Sequence, residues 1–212
     1  MIIILALIAF LIGSIPTGVV IARSKGIDLR GVGSGNIGAT NVMRAAGKEA
    51  ALLTLIGDMA KGAIPLLLYR GLLAWGMPPL EPELLQGTGY APRTVIEGVL
   101  GISAIAGHDF SLFLKGRGGK GVATSLGVLL VFSPHVGLFT ITLWLITAKW
   151  TRYSSLSALV AFGLLPVSFF LIDYAPERLL VAFAIALLIF IKHRDNIRRL
   201  LQGTEGKIGE KK

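Results

Sequence analysis

The chain has 212 residues, 53% hydrophobic and only 16% charged, with a mean hydropathy of +0.73. A soluble domain carries about 25% charged residues, so the composition excludes an ordinary soluble fold and indicates one integral membrane bundle over residues 1–212. The absence of cysteine excludes a disulfide framework and a thiolate zinc site. A net charge of +9 in such a chain reports topology and anionic partners, and the scarcity of aromatics near the basic loops argues against nucleic acid.

A membrane helix needs about 20 apolar residues. Residues 1–22 meet this without a basic leader, which predicts an uncleaved first span. Residues 23–50 read as a polar loop rich in Gly and Asn. Residues 51–75 form a second span interrupted by Asp58, Lys61, Pro65 and Arg70. A Pro- and Gly-rich loop over 77–92 carries Glu81 and Glu83, and a short span follows over 93–107 and on toward Leu114. Residues 122–148 are apolar but broken at Ser133-Pro134-His135. Residues 154–172 span again with a kink predicted at Pro166. The last span covers 178–191 and leads to a basic tail, expected to be flexible over about 206–212.

Charge decides the predicted topology. If the chain turns at Ser133-Pro134-His135, 17 of the 21 Lys and Arg fall on one side, in residues 23–50, 108–121, 149–153 and 192–212. Basic residues favour the cytoplasm. The expectation is therefore an all-α bundle of seven transmembrane helices with Gly-rich cytoplasmic loops, the N-terminus outside and the C-terminus inside. A re-entrant hairpin at residues 122–148 has the same parity and stays open.

Three unusual polar segments share that side. The first is Gly31-Val32-Gly33-Ser34-Gly35-Asn36-Ile37-Gly38-Ala39-Thr40-Asn41, followed one helical turn later by Arg44. It is dense in donors that can bend around a ligand, and it reads equally as a flexible loop with Asn and Thr caps. The second joins Gly107-His108-Asp109-Phe110 to Lys115-Gly116-Arg117-Gly118-Gly119-Lys120-Gly121, with Thr124 beyond. Glycines bring backbone N–H groups close to a ligand, cations supply charge, and a helix N-terminus follows. This predicts an anion cradle that is not a Walker A loop, because Gly121 follows Lys120. The third places His193, Asn196 and Leu200 on one helical face. A basic lipid-touching helix is its alternative reading. Within the second span Asp58 and Lys61 stand three apart and can neutralise each other. Three isolated histidines argue against a metal, and no cofactor is indicated. Neither a Gly-x-Ser-x-Gly elbow nor a His-x4-Asp pattern occurs.

These segments resemble the bacterial acyl-phosphate:glycerol-3-phosphate acyltransferases of the PlsY type. The likeness is carried by Gly13-Ser14-Ile15-Pro16-Thr17-Gly18, Gly33 to Asn41, Gly57-Asp58 with Lys61-Gly62, Gly107-His108 through Thr124, and His193-Arg194-x-Asn196-Ile197-x-Arg199-Leu200 with Gly203 and Glu205. Two departures are Ser111, where the family often has Pro, and an Arg117 inserted into the usual Lys-Gly-Gly-Lys-Gly. The resemblance implies acyl transfer from acyl phosphate to the 1-hydroxyl of glycerol 3-phosphate at the cytoplasmic face of the bacterial inner membrane. The products are lysophosphatidic acid and inorganic phosphate. With it goes an expected site. Ser34, Asn36, Asn41 and Arg44, with Gly33, Gly35, Gly38 and Thr40, hold one phosphate and the reacting carbonyl. His108, Lys115, Gly116, Gly118, Gly119, Lys120, Gly121 and Thr124 hold the other. His193, Asn196 and Lys61 close the cavity, Lys61 and Glu205 stand among the substrate-binding residues, and the acyl tail runs between spans into the membrane lipid. The base is His108, His193 or a substrate phosphate. A phosphate or organophosphate transporter, and a membrane anchor for soluble lipid-synthesis enzymes, are the competing readings.

Overall fold

The computed structural model describes residues 1–78, 80 and 82–209, and among these it contains ten α-helices and no strand. Glu81 and residues 210–212 of the basic tail lie outside the described residues. The first apolar segment is not one continuous helix. It is α1 (Ile2–Ser14) and α2 (Thr17–Arg23). Pro16 lacks an N–H and disfavours helical backbone at the residue before it, and Ile15 accordingly adopts φ −58° and ψ 118°. The break frees the Ile15 carbonyl, which accepts a hydrogen bond from Lys61 Nζ at 2.8 Å. Broken backbone inside the apolar layer is thus satisfied by a side chain.

The next helix, α3 (Ala39–Ala74), starts well before the expected residue 51. Residues 39–50 of the predicted loop are helical, because residues 39–46 are mostly good helix formers and only Gly47, at φ 89°, interrupts them. The rest of that loop is not a loose connector. Leu29 and Ile37 pack with Ala22, Val42 and Ala50 in a small core of their own. Burying each large aliphatic contributes about 1.5–3 kcal/mol, which holds the loop in one shape.

Helix α4 (Pro92–Asp109) ends in a turn over Leu112–Leu114. The expected break at Ser133 is present. It separates α5 (Val122–Phe132) from α6 (Pro134–Thr151), and Ser133 Oγ donates to Asp173 Oδ2 at 2.5 Å. The kink predicted from Pro166 is present too, as a 41° bend between α7 (Ser154–Gly163) and α8 (Leu165–Ile172). Helix α9 (Pro176–Lys192) and the short α10 (Arg194–Leu201) complete the described chain. Among the described residues, by length and composition three helical segments, 2–23, 39–74 and 92–114, can cross a membrane, or four if the bent α7–α8 pair is one span. Leu7 is 58% exposed and Leu171 73%, as side chains facing lipid would be.

Glycines set the helix packing that positions the site. A Cβ at Gly13 would lie 2.0 Å from the Ala104 carbonyl oxygen, and one at Gly107 would lie 2.1 Å from that of Phe10. These contacts press α1 against α4. Gly62 and Gly127 do the same between α3 and α5, with 2.2 Å to Thr124 O and 1.9 Å to Met59 O. Close backbone approach through small residues is the usual way helices associate in lipid. Farther along the same helices, Glu97 is 3% exposed and accepts from Arg70 at 2.9 and 2.7 Å and from Arg93 at 3.0 Å. That cluster explains a carboxylate to which the sequence assigned no role, since it neutralises Arg70 inside a span.

Candidate active site

All four basic segments meet at one end of the bundle, and hydrogen bonds join them. Arg30 donates to the carbonyl of Arg117. Thr40 Oγ1 lies 3.1 Å from Ser154 Oγ, and Ile208 N donates to Arg152 O at 2.7 Å.

The first loop is shaped by Asn41, which was expected to touch ligand. Its Nδ2 donates to the carbonyls of Leu29, Val32 and Asn36, at 3.4, 3.0 and 2.8 Å, and its Oδ1 accepts from Ser34 N at 3.0 Å. Asn41 is therefore a scaffold buried behind the loop, 2% exposed, not a partner of Arg44 on one ligand. Asn36 Oδ1 accepts from Ile37 N at 2.9 Å, and the residue is half-buried. Gly33 and Gly35, at φ 60° and 67°, flank Ser34, which is exposed. Gly38 caps α3 in extended conformation.

Beneath the second loop lies a buried polar cluster. Asp58 pairs with Lys61 at 2.8 Å, accepts from Thr17 Oγ1, and lies 3.6 Å from His108 Nδ1. Lys61 was expected to contact substrate, but it is 4% exposed and bonded to Asp58 and Ile15. His108 is also 4% exposed. Gly118 and Gly119 lie directly over it. Gly119 N donates to the His108 carbonyl at 3.0 Å, and a Cβ at Gly119 would meet His108 Nε2 at 2.1 Å. The imidazole thus supports the glycine loop from below. Replacing Gly119 with Ala is expected to displace the loop and lower turnover by the purified protein on the order of a hundredfold. Gly71→Ala, which has nothing within 4 Å, should leave turnover unchanged.

Thr124 is fully buried where α5 packs on α3 at Gly62, and its Oγ1 has no hydrogen-bond partner among the described residues. The Asp109 carboxyl sits beside the start of α5, since a Cβ at Gly121 would lie 2.9 Å from Asp109 Oδ1, and neither of its side-chain oxygens has a hydrogen-bond partner among the described residues. Lys192 Nζ donates to the Asp109 carbonyl at 2.6 Å and closes this region. Lys115 is exposed at φ 53°, and Gly116 follows at φ 79°.

The third segment closes over the second. Lys120 Nζ donates to Asn196 Oδ1 at 2.5 Å, and Asn196 Nδ2 donates to Glu205 Oε1 at 2.6 Å. Ser155 Oγ donates to the same oxygen at 2.6 Å, and Arg199 Nε to Oε2 at 2.7 Å. Burial lowers the Lys120 pKa to about 8 despite the attraction of Glu205. Burial raises the Glu205 carboxyl, but the bonds from Ser155, Asn196 and Arg199 outweigh it and hold the group below its usual range. Glu205 was expected among substrate contacts. A carboxylate repels phosphate, and this one organises Lys120 and Asn196 instead. His193 Nδ1 lies 2.8 Å from the Ile189 carbonyl, and burial together with the Lys120 charge lowers its pKa to about 4.

Arg44 reaches this assembly from α3. Its Nη2 donates to the carbonyls of Gly206 and Lys207 at 3.3 and 3.1 Å, and its Nε is buried without a hydrogen-bond partner among the described residues. Residues 206–209, expected as a flexible tail, are fastened here. The structure thus joins Arg44, Lys120, Asn196 and His193 and leaves Ser34 and Asn36 on the open loop beside them. It adds Thr17, Asp109, Arg152, Ser155 and Arg199, which the sequence reading did not place in the site. Thr17 and Arg199 stood within motifs already noted, whereas Arg152 and Ser155 carried no local signal.

The family of glycerol-3-phosphate acyltransferases matches the chain over residues 3–203. The chain is 47% identical to a glycerol-3-phosphate acyltransferase of Bordetella pertussis, over 98% of this chain and 92% of that one. It is 41% identical to one of Rubrobacter xylanophilus, over 98% and 95% of the two lengths. Its fold resembles the crystal structure of PlsY (YgiH), an integral membrane glycerol 3-phosphate acyltransferase, in the glycerol 3-phosphate form. The TM-score is 0.84 at 39% identity, over 98% of this chain and 96% of that one. The lysophosphatidic acid form of PlsY gives a TM-score of 0.82 at 38% identity, over 98% and 95%.

Proposed function

This chain belongs to the glycerol-3-phosphate acyltransferase family, and from that premise we propose that it transfers a fatty acyl group from acyl phosphate to the 1-hydroxyl of sn-glycerol 3-phosphate. The products are 1-acylglycerol 3-phosphate and inorganic phosphate. The observation that carries the reading is the hydrogen-bonded convergence of Arg44 and Lys120 through Glu205, Gly206 and Asn196 beside an exposed, glycine-flanked Ser34. Two cations held in place by neutral and scaffold groups suit two phosphate-bearing substrates. In this reading the chain crosses the bacterial inner membrane seven times, with the basic loops in the cytoplasm.

Acyl phosphate is a mixed anhydride and already activated, so positioning and charge stabilisation suffice. The 1-hydroxyl oxygen bonds to the acyl carbon, the bond from that carbon to the phosphate oxygen breaks, and phosphate leaves. The hydroxyl proton goes to a phosphate oxygen, whose second pKa is near 6. Two observations support that route over a histidine. His108 lies beneath Gly119, and His193, with a pKa of about 4, is a weak base at neutral pH. Ser34, Asn36 and Arg44 hold one phosphate and the carbonyl, and Lys120 holds the other.

The sign of the pH response follows from Lys120. Its pKa is depressed to about 8, so its charge is present below that pH and lost above it. Turnover is expected to fall as pH rises through about 8, and Lys120→Arg should move that alkaline limb upward. A profile flat from pH 7 to 10 would remove Lys120 from the charge-stabilising role. The direct test of the reaction is phosphate release from palmitoyl phosphate in detergent. It should depend on glycerol 3-phosphate, and palmitoyl-CoA or acyl-carrier-protein donors should not replace the acyl phosphate.

A further inference from the structure

We infer that residues 203–209 form an aiming strap for Arg44, buckled to the bundle by Arg152; this rests on Arg44 holding a substrate phosphate. The strap is attached at successive points. Gly203, at φ 67°, reverses the chain after α10, and Thr204 N donates to the Arg199 carbonyl at 2.9 Å. Glu205 is gripped by Ser155, Asn196 and Arg199. The carbonyls of Gly206 and Lys207 then accept from one nitrogen of Arg44. Beyond them Ile208 N donates to Arg152 O at 2.7 Å, and Arg152 Nη2 donates back to Ile208 O at 3.1 Å.

The chemistry of the acceptors matters. A carboxylate would orient the guanidinium but neutralise it, whereas two carbonyls orient it and leave its charge available to a phosphate. With Nη2 occupied, the buried unpartnered Nε belongs to the part of the fork that remains for ligand. Gly206 lies close enough that a Cβ there would be 3.3 Å from Arg44 Nη2. Arg152 itself sits at φ 61°, one of two non-glycine residues in the left-handed region among the described residues. Such backbone persists only where surrounding contacts hold it. Here it ends α6 and turns both the carbonyl and the guanidinium of Arg152 onto Ile208. Arg152 is a positioning residue, since it acts through the strap on Arg44.

The test uses full-length protein in detergent with sn-glycerol 3-phosphate and palmitoyl phosphate each varied in turn. Arg152→Ala is expected to raise the KM for the substrate that Arg44 holds on the order of tenfold, with kcat changed less and thermal melting unchanged. Arg152→Lys should recover part of the loss. Gly206→Ala, crowding the guanidinium, should act in the same direction. In an Arg44→Lys background, Arg152→Ala should add nothing, because residues acting through one group are not additive. Wild-type KM values in both Arg152→Ala and Gly206→Ala would overturn the strap. So would an Arg152→Ala loss that persists undiminished in the Arg44→Lys background. Wild-type kinetics in Arg44→Lys and Arg44→Ala would instead overturn the site reading, and the strap with it.

Discussion

Lys120→Ala is expected to lower turnover on the order of a hundred- to a thousandfold, the loss seen when one preorganised donor is removed from a site of developing charge, while the protein still inserts and melts normally. The argument starts from where the ammonium is held. Lys120 follows the glycines that lie over His108 and precedes the first turn of α5, and its Nζ is held by Asn196 at 2.5 Å. Asn196 is in turn fixed by Glu205, which three side chains bind. The cation therefore waits in a set place and, in the proposed reaction, need not reorganise as charge develops on the leaving group. Lys115 provides the contrast. It is exposed, and Lys115→Ala should cost about tenfold or less. Phosphate release by the purified variants measures both effects. Equal small losses in the two would mean that the loop contributes only diffuse positive charge.

The second large effect is on stability. Asp58→Ala is expected to destabilise the protein by about 3–5 kcal/mol, because it leaves a buried charge without its partner. Lys61 is 4% exposed and is bonded to Asp58 and to the Ile15 carbonyl freed by Pro16. Thr17 and His108 converge on the same carboxylate. Removing it strands the ammonium between α1 and α3 and loosens the support beneath the glycine loop. Thermal melting in detergent should drop, and turnover should fall with it. Adding Lys61→Met to Asp58→Ala should restore much of the melting temperature, since the uncompensated charge is then gone. An Asp58→Ala protein that melts like the parent would show that water already solvates this cluster.

Much of the fold could be read along the chain. The breaks at Ser133 and near Pro166, and the Asp58–Lys61 pair, follow from local chemistry: a missing N–H, or two opposite charges three residues apart on one helix. The misreadings have local causes as well. Residues 39–46 were taken as loop because Gly, Asn and Thr surround them, yet they are helical up to Gly47. Residues 2–23 have the length and composition of one span, and the break at Pro16 divides it into α1 and α2 without ending it. In the candidate site, the fold brings the motif segments together, while the contacts within them could not be read from residue type. Asn41, Thr124, Lys61 and Glu205 have residue types that suit phosphate, but in the fold they face carbonyls, a glycine contact, a carboxylate and three donors.

The sequence by itself determined that the chain is lipid-embedded and all-helical, and where its basic, glycine-rich segments fall, because hydropathy and charge act residue by residue. Only the tertiary structure decided which polar groups are used up inside the protein and which stay free for a ligand. That depends on partners far apart in the chain, such as Arg44 with Gly206 or Lys120 with Asn196, and a buried donor is committed to whatever acceptor the packing brings within about 3 Å of it.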